Sequence, residues 1–83
     1  MPVIHSNLFI IIKRFPKHKK TVRRLYSKSE NFQEMCDDYQ KCAKALRHWA
    51  RSDAEDACER RNEYAGYLQD LEAEILQTLK EAE

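Results

Sequence analysis

The sequence predicts an all-α protein, a short basic N-terminal helix followed by an antiparallel helical hairpin. Three observations predict it. Of the 67 residues after Pro16 one is glycine, Gly66, and none is proline, so helix breakers are nearly absent from most of the chain. Apolar residues in that stretch recur every three or four positions, the period of a helix with one buried face. Two segments, Asn31-Phe32-Gln33-Glu34 and Ser52-Asp53-Ala54-Glu55, carry a capping residue with an acid three positions on, the pattern of a helix start.

Residues 1–15 stand apart as an apolar N-terminal extension. Ile4, Leu8, Ile11, Ile12 and Phe15 fall at helical spacing, whereas Phe9, Ile10, Ile11 and Ile12 equally suit a short buried strand, because β-branched side chains favour extended backbone. Periodicity leaves helix, strand and terminal disorder open here. Residues 16–83 form the single helical domain. Pro16 suits a first helical turn, where its missing N–H is not needed. The helix after it is expected over about residues 17–26, with Val22, Leu25 and Tyr26 as its apolar stripe and Lys17, Lys19, Lys20, Arg23 and Arg24 on the rest.

The Asn31 box opens a second helix over residues 32–50. Its seam is Phe32, Met35, Cys36, Tyr39, Cys42, Ala43, Leu46, Trp49 and Ala50. The Ser52 box places a tight turn at residues 51–53, against one unbroken helix, and opens a third helix over residues 53–81. Asp53, Glu55 and Asp56 would then sit where the helix dipole favours acids. Ala57, Cys58, Arg61, Tyr64, Ala65, Leu68, Leu71, Ile75 and Leu79 mark the third seam, widened by Tyr67 and Leu76. Gly66 interrupts it, either as a close helix contact or as a tolerated surface residue. In an antiparallel pairing Trp49 anchors the closed end near Ala54 and Cys58. Tyr39 faces Leu68, and Phe32 and Met35 face Leu71 and Ile75. Leu76 and Leu79 outrun the second helix, so Val22, Leu25, Tyr26, Leu76 and Leu79 form an expected interaction surface, closed either within the chain or by a second copy.

Charge is segregated. Residues 1–28 hold eight Lys or Arg and no acid, and the remainder holds all 14 acids against seven cations. Lys13, Arg14, Lys17, Lys19, Lys20, Arg23, Arg24 and Lys28 are therefore candidate anion ligands, for nucleic acid or for an anionic membrane surface on which Ile4, Leu8, Ile11, Ile12 and Phe15 would rest. The alternative is a solvated face paired with the acidic third helix.

Other chemistry finds little footing. Cys36, Cys42 and Cys58 are an odd number, and no secretory signal precedes or follows Leu8 to Ile12, which points to reduced thiols in a cytoplasmic protein. Cys36 and Cys42 diverge by about 120° on a helix, and no short ligand spacing favours zinc. His48 and Cys58 approach each other across the turn but lack an orienting third group and a pocket. Phe32, Tyr39, Trp49, Tyr64 and Tyr67 are a flat-ligand stripe in principle and a core at this spacing. No catalytic residue, metal or cofactor is expected. The expected role is protein–protein interaction or self-association, as a homodimer or with another protein.

Phe15-Pro16, the basic first helix, the step from Leu25 to Phe32, Glu34-Met-Cys-Asp-Asp-Tyr39 and Leu71-Glu-Ala-Glu-Ile-Leu76 together resemble the YdcH-like family, short bacterial helical-hairpin proteins of unknown function. The resemblance covers about four fifths of the chain. It implies the same hairpin fold and lends no catalytic residues. It makes residues 1–14 an extension, or a stretch upstream of the true start.

Overall fold

The computed structural model describes residues 6–83. Among them the secondary structure is helical throughout. α1 spans Ser6–Arg14, a 3₁₀ turn spans Pro16–His18, α2 spans Lys19–Lys28, α3 spans Glu30–Arg51 and α4 spans Ala57–Ala82. Of the apolar extension, residues 1–5, with Ile4, lie outside the described residues.

The basic helix is thus not the first. The stretch that suits either strand or helix is a helix from Ser6, and the reason is tertiary. Ile11 and Phe15 are both buried, Ile11 completely, in a cluster with Val22, Phe32, Cys36, Tyr39, Ile75 and Leu79. Leu8 and Ile12 pack against the same cluster. A strand would turn them to the face opposite Ile11 and Phe15, whereas a 3.6-residue period gathers all four on one side, and that burial outweighs the extended preference of the isoleucines. Phe15 ends α1, its amide donating to the Ile11 carbonyl at 2.9 Å, and its own carbonyl accepts from the His18 amide at 3.0 Å. Pro16 opens the 3₁₀ turn, where no amide is missed.

One residue separates α2 from α3. The Ser29 amide donates to the Leu25 carbonyl at 2.8 Å, and its hydroxyl accepts from the Phe32 amide at 3.1 Å. The cap of α3 is therefore Ser29, not Asn31. Starting two residues earlier leaves Asn31 exposed in the first turn and puts Phe32, rather than an acid, at the third position, so no capping box forms. Gln33 reaches back to the Tyr26 carbonyl at 2.6 Å, satisfying an orphan acceptor at the end of α2.

The break after Arg51 is present, but it is longer than expected. Ser52 is extended (φ −79°, ψ 141°) and ends α3. Its hydroxyl accepts from the Ala54 amide at 3.1 Å, inside the connection, and so caps no helix. The Ala57 amide then closes a turn on the Ala54 carbonyl at 3.0 Å. α4 starts four residues later than predicted, with Asp56 in the capping position but making no side-chain cap bond.

α3 and α4 share the most extensive contact of any helix pair, and α1 and α2 contact each other and α3. Cys42 meets the Tyr64 carbonyl at 3.4 Å, and Phe32, Cys36 and Tyr39 share their cluster with Ile75 and Leu79. Each fully buried large side chain there contributes about 1.5–3 kcal/mol. Trp49 does not anchor an end. It is half-buried, outside that cluster, with its ring edge-on to His48 at 5.1 Å. The radius of gyration is 14.1 Å, against about 12 Å for a compact chain of this length. The excess comes from the distal parts of α3 and α4, which extend past α1 and α2 as a two-helix arm. Gly66 lies on that arm with open space where a Cβ would stand, so it marks no close contact.

Candidate interaction surfaces

The expected interaction surface is largely consumed within the chain. Val22 and Leu79 have no exposed surface, and Leu25, Tyr26 and Leu76 pack partly buried against the same cluster. α1, which the sequence left without a settled form, joins α2 in covering the end of α4. Polar bonds fix this base. Asn7 is buried, donates to Asp37 and accepts from the Tyr26 hydroxyl at 3.0 Å. Arg14 pairs with Glu72. At the end of α4, Glu83 pairs with His18 at 2.5 Å and accepts from Thr21 at 3.3 Å, while Arg24 donates to the Ala82 carbonyl at 2.6 Å. The His18 bond is the main reason that the Glu83 carboxyl lies below its ordinary pKa.

The other face of α3 and α4 is different. Gln33 and Asp37 touch α2 and α1, and a helical step of 100° per residue places Met35 and Trp49 about 120–160° away from them. On α4, Glu72 and Leu76 meet Arg14 and Phe15 across a shallow groove of about 340 Å³; Tyr67 lies about 140–180° around from them and Leu71 about 100–140°. Trp49 and Tyr64 are half-buried outside the core cluster, whereas Met35 and Leu71, also half-buried, pack against its edge. Tyr67 is 57% exposed and stacks edge-on with Tyr64 at 5.9 Å. The sequence places all five in the core; Met35 and Leu71 do pack against it, and Trp49, Tyr64 and Tyr67 lie outside its cluster. The signal against that placement was the width of the α4 seam, too broad for one partner helix to cover.

The eight candidate anion ligands Lys13, Arg14, Lys17, Lys19, Lys20, Arg23, Arg24 and Lys28 are all exposed. Arg14 is held by Glu72 and Arg24 by a carbonyl; the other six have no acid within ion-pair distance among the described residues. Pairing with the acidic third helix is therefore limited to Arg14. Of the five anchors of a membrane reading, Ile4 lies outside the described residues and the other four are at least partly covered. Ile11 and Phe15 are buried, and Leu8 and Ile12 are partly buried in the same cluster.

The remaining chemistry is sparse. Burial, reinforced by Asp37, pushes the Cys36 thiol up to about 12. Burial also raises Cys42, so neither is primed as a thiolate nucleophile. Burial, then Glu72, raises the Tyr39 hydroxyl. Cys58 is exposed and accepts from Arg61 at 3.5 Å, and His48 faces Trp49, so the structure does not bring His48 and Cys58 together as a bonded pair. Among the described residues no three His, Cys, Asp or Glu side chains converge as a metal would require, and no helix is long and apolar enough to cross a membrane. A second lobe of the groove, about 240 Å³, is bounded by Pro16, Lys17 and His18; both lobes are open to solvent and neither holds a nucleophile–base pair.

No family model, no curated protein and no solved structure matches the chain.

Proposed function

We propose that the protein is a non-catalytic interaction module that self-associates through the uncovered face of α3 and α4. In this reading the two helices form an antiparallel hairpin, preceded by the basic helix, as in the YdcH-like bacterial proteins it resembles, and the protein works in the cytoplasm. The observation that carries it is the set Trp49, Tyr64 and Tyr67, incompletely buried on α3 and α4 outside the core cluster, with Met35 and Leu71 on its margin. Aromatic side chains on a helix face are effective association anchors because they bring large area at small entropic cost. A second copy supplies the complementary surface, since two such faces related by a two-fold axis make a four-helix packing.

The size of the face supports a weak dimer. The 22 residues of α3 run about 33 Å, and two helices side by side are about 20 Å wide. The face thus offers roughly 600–700 Å² per copy, at the low end for stable association.

Light scattering across a concentration series tests this. The wild type is expected to become dimeric between about 10 μM and 1 mM. Tyr67→Glu, at an exposed position, should stay monomeric with unchanged helicity. A wild type that is monomeric at 1 mM in both low and high salt refutes self-association.

A further inference from the structure

We propose that the outer face of α2, with Lys13 and Lys17 beside it, binds the phosphate backbone of nucleic acid without reading sequence. The face is distinct from the one proposed for self-association. α2 turns Thr21, Val22, Leu25 and Tyr26 inward, which leaves Lys20, Arg23, Arg24 and Ser27 along its outer ridge with Lys19 and Lys28 on the flanks. The helix contains no acid. From Lys19 to Lys28 it spans about 14 Å, and duplex nucleic acid presents several phosphates over that length.

The decisive point is what these cations do not do. The chain has 14 acids, yet among the described residues Lys13, Lys17, Lys19, Lys20, Arg23 and Lys28 make no ion pair. A basic segment whose role was to hold the fold would spend its charge inward, as Arg14 does on Glu72. Here the apolar stripe holds α2 in place and the charge is left outside. Arg24 bonds the Ala82 carbonyl, which ties the ridge to α4.

The same burial favours nucleic acid over a bilayer. An interfacial helix needs apolar side chains to sink between headgroups. Those of α2 face the core, and of the α1 set Ile11 and Phe15 are enclosed; Phe9, at 56% exposed, is the large apolar side chain left outside on α1. A phosphate backbone requires only cations at helical spacing. A ridge of Lys, Arg and Ser meets phosphates without any base-edge pairing, and phosphate contacts carry no sequence information.

The test is fluorescence anisotropy with labelled 16-base-pair DNA and RNA duplexes of one arbitrary sequence, from 20 to 200 mM NaCl. Four to six phosphate contacts predict a log–log salt slope of about −4 to −5 on DNA, a loss of roughly 10²–10³-fold between 50 and 200 mM. The triple variant Lys20→Glu, Arg23→Glu, Lys28→Glu should lose binding at least tenfold at 50 mM. Lys41→Glu, Lys44→Glu, Arg47→Glu changes net charge equally on exposed positions of α3 and should bind nearly as wild type. Circular dichroism confirms that each variant folds; should the triple reversal not fold, Lys20→Gln alone should reduce the slope by about one. Binding to either duplex supports the face, and the tighter one names the polymer. No binding at 20 mM NaCl, equal loss in both triple variants, or binding to phosphatidylserine vesicles without binding to either duplex overturns it.

Discussion

The base and the arm of this molecule are made from the same two long helices and differ in what covers them. In the base, α3 and α4 meet α1 and α2, and six large or medium side chains, Phe32, Ile11, Ile75, Leu79, Val22 and Cys36, are fully enclosed. In the arm the helices have only each other. Cys42 and Ala57 are buried there, whereas Leu46, Trp49 and Tyr64 remain half-buried and Tyr67 is exposed. Two helices in contact enclose a single seam, and a residue on the flank of that seam stays wet whatever its size. The contrast teaches that local hydrophobicity does not rank burial here; the number of surrounding helices does.

Substitutions at the two ends break the comparison if it is wrong. Phe32→Ala should cost about 3–5 kcal/mol, because the side chain is enclosed and little can collapse into the gap. That is enough to unfold most of a domain this small. Trp49→Ala removes a larger side chain that is only partly covered and lies outside the enclosed cluster, and should cost less, about 2–3 kcal/mol. Urea unfolding followed by circular dichroism measures both, and a Trp49 loss equal to the Phe32 loss would mean that the arm is enclosed after all.

The helix ends sharpen the same contrast. Ser29→Ala should cost about 1 kcal/mol, since its hydroxyl caps α3 within the base. Gly66→Ala, on the arm with room for a methyl group, should stabilise by roughly 0.4–1 kcal/mol. The smallest effect is expected at Ser52→Ala, a few tenths of a kcal/mol, because that hydroxyl bonds within an exposed connection. Thermal melts of the three variants rank them, and a Ser52 effect as large as that of Ser29 would show that Ser52 caps a helix in solution.

Much of this was legible in the sequence. The absence of breakers and the 3.6-residue period predict the helical class and the three segments from Lys17 onward, with ends within about four residues. The break after Arg51 is legible from Ser52. The caps were less so, because Ser29 and Asn31 are both good capping residues two positions apart. Ser29 takes the role because the one-residue link to α2, closed by its amide on the Leu25 carbonyl, leaves its hydroxyl within reach of the Phe32 amide. The candidate cations read correctly as exposed, since lysine and arginine seldom bury without a partner. Of the two closures open for Val22, Leu25, Tyr26, Leu76 and Leu79, the one within the chain is seen; nothing local to Leu79 says that α1 joins α2 in reaching it.

The sequence by itself determined that this chain is helical, where its chain turns, and that its charge is split between a basic head and an acidic body. These are local matters, decided by backbone freedom and by residues three or four apart. Only the tertiary structure decided that residues 6–14 are helix rather than strand, that Val22 and Leu79 are covered within the chain, and that the basic ridge of α2 faces outward largely unpaired. Each of these depends on contacts between residues far apart in sequence, such as Arg14 with Glu72 and Thr21 with Glu83, and local periodicity reports which face of a helix is apolar but not what that face meets.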